Sequence, residues 1–269
     1  MTDQNNDCNS RVGPAATVMT LNPSRPLSCR PSKTIHEAAQ SMLIANEHYM
    51  LVVDSKEELL GIFTAKDLAF RAVSNNLEIQ RVDKIMTSNP MCAKVNTKAS
   101  NALDLMVAKH FRHLPIVNDE NQIVGVLDIT KCYKEAIKKL EKLYKDSKNL
   151  YDAMGTVSKN FKNNKFIITY FETLKKLLSG PVLEELLNED STSPIYVSGN
   201  STIYDAAMHM KYKNTTALLV RDNHEEISGI ITSKDIVSRV LSKGLDPNEC
   251  LVKQVMTKDP SMASKSMPI

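Results

Sequence analysis

The chain has 269 residues, of which 42% are hydrophobic and 24% are charged, and this composition is typical of a soluble globular protein. A net charge of +3 is too small to indicate nucleic-acid binding, and five scattered cysteines without Cys-x-x-Cys spacing favour a reducing compartment and argue against a structural zinc site. The sequence shows neither an apolar signal core at its N-terminus nor a run near the roughly 18 apolar residues of a membrane span, so we expect a cytoplasmic or nuclear protein.

Residues 1–17 are polar and small, and we predict a disordered tail there. A Met-Thr-x-x-Pro segment follows and returns twice, and we call these the lead segments: Met19–Pro23, Met86–Pro90 and Met256–Pro260. Because the residue before a proline is pushed out of the helical region, each lead segment predicts extended backbone. Each lead segment therefore marks the start of a repeat.

A helix is predicted after the first lead segment, because Thr34 is a residue type that caps helices and apolar residues follow it at helical spacing. The predicted core face is Ile35, Ala38, Ala39 and Met42. Two of these, Ala38 and Met42, return as the same residue types 64 and 168 residues later. Two apolar runs, residues 50–54 and 59–63, then flank a polar turn and predict a β-hairpin. One repeat is thus an extended lead, a helix, two strands and a second helix.

The end of the hairpin is the most regular part of the repeat. Gly61–Asp67 returns as Gly229–Asp235, and we call these stretches junctions. Thr64 and Asp67 have the spacing of a capping box, in which each side chain bonds to the backbone N–H of the other residue. A second interpretation uses the same atoms, because a helix N-terminus attracts phosphate and a carboxylate can hold a ribose diol. Gly61 would let such a ligand approach the backbone closely.

The second copy has an altered junction, Gly125–Lys131. It places Asp128 in the hydroxyl position and Lys131 in the carboxylate position. Asp128 remains a good helix cap, but an anion and a cation in these positions would spoil a ribose-phosphate site. The functional interpretation therefore applies to the two intact junctions.

The lead segments, the apolar strand before an acidic turn and the Gly-h-h-Thr-x-x-Asp junction together resemble the motifs of the CBS (cystathionine-β-synthase) family. The resemblance implies an α/β (α+β) fold in which two tandem CBS motifs, residues 18–135, form a paired unit called a Bateman module. A helical insert would occupy residues 136–190. Residues 191–269 would hold a third CBS motif and the start of a truncated fourth.

Paired CBS motifs commonly bind adenosine compounds, so the resemblance implies AMP, ADP, ATP or S-adenosylmethionine as the ligand. It places the junction residues against phosphate and ribose: Thr64 with Asp67, and Thr232 with Asp235. It also places Arg112 and His113 where the chain enters a strand of the second motif, a position that we call the strand entry. From there both side chains could reach a phosphate across the two paired motifs.

A histidine that leads into a core strand is more often a structural residue, so a second interpretation of His113 stays open. His110 could share a helix face with His113. No carboxylate or cysteine stands with them at metal-ligand spacing, so we predict no metal site.

The insert predicts a long helix, because its residues step by four and three along a heptad seam. The seam residues are Tyr133, Ile137, Leu140, Tyr144, Ser147, Tyr151 and Met154. A second amphipathic segment spans residues 166–178, and Gly180 and Pro181 end it. We expect the two segments to form a helical hairpin or to lean on the module, with the seam buried. The insert resembles the segment between the modules of fungal proteins with four CBS motifs and a C-terminal Phox/Bem-type domain.

Residues 131–180 carry twelve lysines and five acidic residues, a local charge of +7. Nucleic-acid surfaces usually combine lysine with arginine and exposed aromatic residues. This segment has no arginine, and its aromatic residues stand at seam positions. We therefore expect a solvated lysine face and no nucleic-acid partner.

These observations favour a non-enzymatic regulatory or scaffold protein whose CBS motifs bind an adenosine-containing ligand. The alternative is a structural interaction module without a ligand, which assembles through CBS faces and the helical insert. The sequence has no catalytic motif such as G-x-S-x-G or a P-loop, so an enzyme is not expected. Because the fourth motif is incomplete, we expect the third to expose an apolar surface. It would then either pair with another chain, as a homo-oligomer or with a protein partner, or be loosely packed. We expect no membrane partner.

Overall fold

The computed structural model describes residues 16–73, 81–158, 183–187 and 193–267. Residues 1–15 of the predicted tail lie outside these ranges. Thr17 already pairs with Lys98, and the N–H of Val18 donates to the Thr97 carbonyl at 2.9 Å. The fold therefore begins slightly before the predicted boundary at residue 18.

Copy 1 has the predicted order of helices and strands, but the expectation of extended backbone in its lead segment is wrong, because Val18–Leu21 form a 3-10 helix. The helices and strands are β1 (Ser28–Cys29), α1 (Ile35–Ala45), β2 (Tyr49–Val53), β3 (Leu59–Thr64) and α2 (Ala65–Asp67), which continues as a π-helical stretch, Leu68–Val73. Thr34 caps α1 in a reciprocal capping box with Glu37. The four residues predicted to form the core face of α1 are all buried. The predicted cap and the predicted face are both confirmed.

Copies 2 and 3 repeat this order. Copy 2 has β4 (Thr87–Ser88), β5 (Ala93–Lys94), α3 (Ala99–Ala108), β6 (His113–Val117), β7 (Ile123–Asp128) and α4 (Ile129–Ser158). After the short helix α5 (Leu183–Leu186), copy 3 has β8 (Tyr196–Ser198), α6 (Ile203–Tyr212), β9 (Ala217–Arg221), β10 (Ile227–Thr232), α7 (Ser233–Asp235), α8 (Val252–Val255) and β11 (Thr257–Lys258). Only copy 2 replaces the short junction helix by a long one, α4.

Each copy forms a small sheet with one parallel pair and one antiparallel hairpin. The strand orders are β1-β2-β3-β4, β5-β6-β7 and β8-β9-β10-β11. In the first sheet β4 belongs to the lead segment of copy 2, where Thr87 pairs with Ile62. The chain that follows the first lead segment joins the sheet of copy 2, where Ser24 pairs with Val126. Copies 1 and 2 thus each pair backbone from near their own start with the sheet of the other copy, and β11 occupies in the third sheet the place that β4 has in the first.

The glycine of each intact junction makes room for a lead segment. A Cβ on Gly61 would lie 2.5 Å from Met86 Sδ. A Cβ on Gly229 would lie 2.6 Å from Met256 Sδ and 2.8 Å from the Thr257 carbonyl oxygen. The expectation that Gly61 gives a ligand close access to the backbone is wrong, because a lead segment already fills that space.

Copies 1 and 2 bury the outer faces of their sheets against each other, as the Bateman arrangement implies. Every residue of β2 is buried, because residues of α1 pack on one face and copy 2 covers the other. The shared cluster joins residues of copy 1 to residues of copy 2: Tyr49, Leu51 and Leu59 to Val117 and Val126. The first two copies therefore form one hydrophobic unit.

Copy 3 packs on copy 1 through helices, a contact that the sequence reasoning missed. Ala69 and Val73 of copy 1 belong to the hydrophobic core of copy 3, and Val237 of copy 3 belongs to the core of copy 1. The Nδ1 atom of His36 lies 2.7 Å from the carbonyl oxygen of Leu241. Each of these two cores is therefore completed by the other copy.

The outer face of the third sheet is only partly covered by the described residues. Ile227 is 43% exposed, whereas its equivalent in copy 1, Leu59, is 7% exposed. Leu219 is half-buried, whereas its equivalent Leu51 has no exposed surface. The expected apolar surface is thus present, and its pairing with another chain stays a prediction.

The long helix α4 is confirmed, but its seam is not buried where the structure describes it. Three seam residues are more than half exposed: Tyr133, Ile137 and Leu140. The expectation of a buried seam is wrong for these residues, because a heptad pattern predicts an apolar stripe and not what covers it. The second amphipathic segment, residues 166–178, and the predicted stop at residues 180–181 lie outside the described residues.

Leu140→Asp should therefore change the free energy of unfolding by less than about 0.5 kcal/mol, because the side chain is 63% exposed. Urea denaturation of the full chain measures this change. Leu127→Asp is the control, since Leu127 lies in the strand before α4 at 1% exposure, and it should be far more destabilising. A loss at Leu140 that approaches the loss at Leu127 would show that the seam is buried in solution.

Candidate functional site

The junctions of copies 1 and 3 have the same geometry. The Thr64 N–H and hydroxyl donate to Asp67 Oδ2 at 2.9 and 2.8 Å. The corresponding distances from Thr232 to Asp235 are 2.9 and 2.7 Å. In both junctions the aspartate N–H donates back to the threonine hydroxyl at 3.4 Å. The predicted capping box is therefore formed at both intact junctions, and it uses one oxygen of each aspartate.

The second oxygen of each aspartate faces an arginine that the sequence reasoning missed. Arg71 Nη2 lies 3.5 Å from Asp67 Oδ1, and Arg71 Nη1 donates to the Ile85 carbonyl at 2.8 Å. Arg239 lies 3.5 Å from Asp235 Oδ1 and donates in the same way to the carbonyl just before its lead segment, at 2.6 Å. The sequence signal was an arginine four residues after the aspartate in both intact junctions, where the altered junction has a glutamate.

The lysine of the altered junction is bonded to neighbouring side chains, and we call this junction closed. Lys131 Nζ donates to Glu47 Oε1 at 2.9 Å and to Ser24 Oγ at 3.0 Å. Asp128 Oδ1 accepts the Thr130 N–H at 2.8 Å, so Asp128 caps α4 as predicted. A paired ammonium group therefore stands at the repeat position that holds an aspartate in the intact junctions.

His113 lies in the packed interface between copies 1 and 2. Its ring contacts that of Tyr49, the equivalent residue of copy 1, with 4.4 Å between centroids and 34° between the ring planes. Burial lowers the pKa of His113 to about 4, although the nearby Asp128 carboxylate raises it. The Tyr49 hydroxyl has no hydrogen-bond partner among the described residues. As a neutral, buried imidazole at pH 7, His113 could offer a ligand a hydrogen bond but not a charge.

Arg112 is the accessible member of the predicted pair. Its side chain is 49% exposed, and its Nη2 lies 4.0 Å from Asp128 Oδ2. Its carbonyl accepts the N–H of Ile129 at 2.9 Å, which fixes the strand entry beside the junction. The equivalent bonds in the other copies join Ala65 to His48 and Ser233 to Thr216. Each strand entry thus lies directly beside the junction of its own copy.

The junctions of copies 1 and 3 lie next to each other. Their helices α2 and α7 are in contact, and Lys66 Nζ donates to Asn214 Oδ1 of copy 3 at 2.9 Å. The predicted site residues therefore form two neighbouring pairs and one further group. The pairs are Thr64 with Asp67 and Thr232 with Asp235, and the further group is Arg112 and His113 around Asp128.

Basic side chains from three copies lie within electrostatic range of one another beside the third junction. Partial burial, and then the charges of Lys234 and Arg112, lower the pKa of His48. Partial burial, and then the charge of Arg112, lower the pKa of Lys234. Only Arg112 was predicted from the sequence, because no spacing or motif distinguishes His48 or Lys234.

Two kinds of site are not found in the described part of the chain. No group of three or more His, Cys, Asp or Glu residues there could hold a metal ion. No described helix combines the length and the apolar character that crossing a bilayer requires.

Comparison with known proteins identifies the repeats. The family model described as CBS domain matches residues 16–74, 82–138 and 184–242, one match for each copy. The CBS domain-containing protein CBSCBSPB1 of Arabidopsis thaliana is 35% identical over 262 residues, which cover 96% of this chain and 48% of the relative. The meiotically up-regulated gene 70 protein of Schizosaccharomyces pombe is 30% identical over 272 residues, which cover 89% of this chain and 37% of the relative. The chain thus spans about half the length, or less, of these curated relatives.

One solved structure covers all three copies. Protein MJ1225 from Methanocaldococcus jannaschii has a TM-score of 0.63 and 16% sequence identity, and the match covers 94% of this chain and 86% of that chain. At this identity the similarity concerns the fold alone. The resemblance to fungal proteins with a Phox/Bem-type domain stays a prediction.

Proposed function

The chain belongs to the CBS-domain family, and on that basis we propose that it is a non-enzymatic regulatory protein that binds an adenosine-containing ligand at the junctions of copies 1 and 3. The candidate ligands are AMP, ADP, ATP and S-adenosylmethionine. One observation carries the proposal. Two junctions of equal Thr–Asp geometry lie side by side near accessible basic side chains, whereas the altered junction is closed by the Lys131–Glu47 ion pair.

In each intact junction the capping box uses only one of the two carboxylate oxygens of the aspartate. Asp67 Oδ2 accepts two bonds in the cap, but Oδ1 lies 3.5 Å from Arg71, which is longer than a good hydrogen bond. This oxygen could therefore accept from ribose hydroxyls, and the Thr64 hydroxyl lies beside it. Arg112 would add a charge and His113 a hydrogen bond to the phosphate end of such a ligand.

Thermal unfolding with each of the four ligands tests this proposal. A ligand at 100 times its Kd should stabilise the folded state by about 2.7 kcal/mol if it binds only that state. The double variant Asp67→Ala/Asp235→Ala should lose most of that stabilisation. Asp205→Ala is the matched control, because Asp205 forms the same kind of capping box with Thr202 at the start of α6.

The control should lower stability by about 0.5–2 kcal/mol through the lost cap and should keep the full ligand effect. Two results would contradict the proposal. One is the absence of a shift with all four ligands at millimolar concentration, and the other is a double variant that retains the whole shift.

The alternative function is a structural interaction module without a ligand. It is favoured by the engaged capping boxes, by the exposed seam of α4 and by the partly open face of the third sheet. Assembly through these surfaces, as a homo-oligomer or with a protein partner, is part of this alternative. The same assay separates the two, because a cap without a ligand predicts a small loss of stability in Asp67→Ala and no ligand effect in any variant.

A further inference from the structure

The arginine beside each intact junction also bonds to the backbone next to a lead segment. Arg71 Nη2 lies 3.5 Å from Asp67 Oδ1, and Arg71 Nη1 donates at 2.8 Å to the carbonyl of Ile85, the residue just before the second lead segment. Thr87 and Ser88 of that lead segment form β4, which pairs with β3 of copy 1. Arg71 therefore connects the junction of copy 1 to the lead segment of copy 2.

Arg239 makes the same connection in copy 3. It lies 3.5 Å from Asp235 Oδ1 and donates to the Val255 carbonyl at 2.6 Å. Its Nη2 also donates to Thr257 Oγ1 of the third lead segment at 3.2 Å. Thr257 pairs with Ile230 in the strand that leads into the junction. The series aspartate, arginine, backbone carbonyl and paired lead segment thus occurs twice in the molecule.

The altered junction has a direct contact in place of this series. Its repeat positions hold Lys131 where the intact junctions have the aspartate, and Glu135 where they have the arginine. Lys131 Nζ donates to Ser24 Oγ at 3.0 Å, and Ser24 pairs with Val126 in the sheet of copy 2. In copy 2 the junction is therefore tied to the neighbouring backbone without an aspartate that a ligand could share.

The arginine restricts how the aspartate of an intact junction can turn. One carboxylate oxygen is held by the capping box, and the other faces the guanidinium group. A carboxylate that is already oriented loses less freedom when a ligand binds, so the ligand binds more tightly. The guanidinium group is itself held by the carbonyl before the lead segment. Release of the lead segment from the sheet would therefore free the arginine and, through it, the aspartate.

We infer that Arg71 and Arg239 are positioning residues that couple each intact junction to the lead segment paired beside it. The inference rests on the proposed function and adds its regulation. A ligand on the aspartate favours the paired lead segment, because pairing holds the arginine that orients the aspartate. By thermodynamic linkage, release of the lead segment weakens ligand binding by the same factor. Occupancy of copy 1 is thus transmitted to the start of copy 2, and occupancy of copy 3 to the third lead segment.

Amide hydrogen exchange of the full chain tests the inference, with and without AMP, ADP, ATP or S-adenosylmethionine at millimolar concentration. A ligand that raises the unfolding temperature should slow exchange in Met86–Pro90 and in Met256–Pro260 at least about fivefold. The Ser24 amide, which donates to the Val126 carbonyl at 2.9 Å, is the internal control. Because Lys131 ties Ser24 without a ligand, this amide should slow much less. Equal slowing at all three places would indicate general stabilisation only and would overturn the inference.

Two variants test the arginines one copy at a time. Arg71→Met keeps the apolar stem of the side chain and removes the guanidinium group. It should weaken binding at the junction of copy 1 about fivefold in isothermal titration. It should also abolish the ligand-dependent protection of Met86–Pro90, while Met256–Pro260 stays protected. Arg239→Met should give the reverse pattern.

Arg81→Met is the matched control, because Arg81 is exposed and pairs with Asp83 at 2.7 Å a few residues before the second lead segment. It should leave both the ligand affinity and the ligand-dependent protection unchanged. A loss of protection equal to that in Arg71→Met would contradict the inference. A folding defect in one of the two test variants leaves the other as the test, since Arg71 and Arg239 belong to different copies.

The outcomes separate this inference from the function on which it rests. A ligand that raises the unfolding temperature but protects neither lead segment overturns the inference and leaves the proposed function standing. Faster exchange in an arginine variant, equal with and without ligand and with unchanged affinity, also overturns it, because a purely structural contact gives that pattern. If none of the four ligands has any effect, the proposed function fails and the inference fails with it.

Discussion

Val237→Asp is expected to destabilise the protein by roughly 3–5 kcal/mol. Val237 is 4% exposed and lies in the hydrophobic core of copy 1, although it belongs to the π-helical stretch of copy 3. An aspartate there would have to be buried as a charge without a partner or be protonated, and both cost free energy. Urea denaturation measures the loss.

The test is specific because it also identifies which strands are destabilised by Val237→Asp. Because Val237 completes the core of copy 1, amide hydrogen exchange should accelerate in β2 of copy 1 as well as in β9 of copy 3. Ile44→Asp is the control, since Ile44 is 86% exposed on α1, and it should stay within about 0.5 kcal/mol of the unsubstituted protein. Faster exchange confined to copy 3 would mean that the two copies do not share a core.

Gly229→Ala is expected to cost roughly 1–3 kcal/mol through overpacking. The new Cβ would lie 2.6 Å from Met256 Sδ and 2.8 Å from the Thr257 carbonyl oxygen. The methionine side chain can move, but the carbonyl belongs to β11, which pairs with β10 at this point. The substitution should therefore loosen the lead strand, and limited proteolysis within Met256–Pro260 should become faster.

Gly199→Ala is the matched control for this prediction, because it makes the same chemical change in the same copy. Its Cβ would meet neighbours no closer than 3.4 Å, an ordinary contact distance. Its free energy of unfolding should therefore change much less than that of Gly229→Ala. Equal losses in the two variants would show that the close approach of the lead segment does not restrict the junction glycine.

The elements that could be predicted from the sequence depend on residues within a few positions of one another. The Thr34 cap and the buried face of α1 follow from helical spacing, and the Thr64–Asp67 box follows from a spacing of three. The cap by Asp128 follows in the same way. Such signals lie within about two helical turns of the chain, so one sequence is enough to predict them.

The features that could not be predicted depend on distant partners. His36 and Leu241, which join copies 1 and 3, are 205 residues apart. An apolar pattern predicts which face of an element is buried but not which copy covers it. The exposed seam of α4 has the same explanation, because its apolar stripe does not show whether another part of the chain covers it.

The pairing of Ser24 with the sheet of copy 2 also bears on how the chain folds during synthesis. Ser24 and Val126 donate to each other at 2.9 and 3.0 Å across 102 residues of chain. Closing a loop of that length costs about 4 kcal/mol of chain entropy before the pairing is gained. Such non-local closure predicts slow folding. Until residue 126 has left the ribosome, the backbone at Ser24 lacks the partner that it has in the folded protein, and a nascent copy 1 presents apolar surface to which a chaperone can bind.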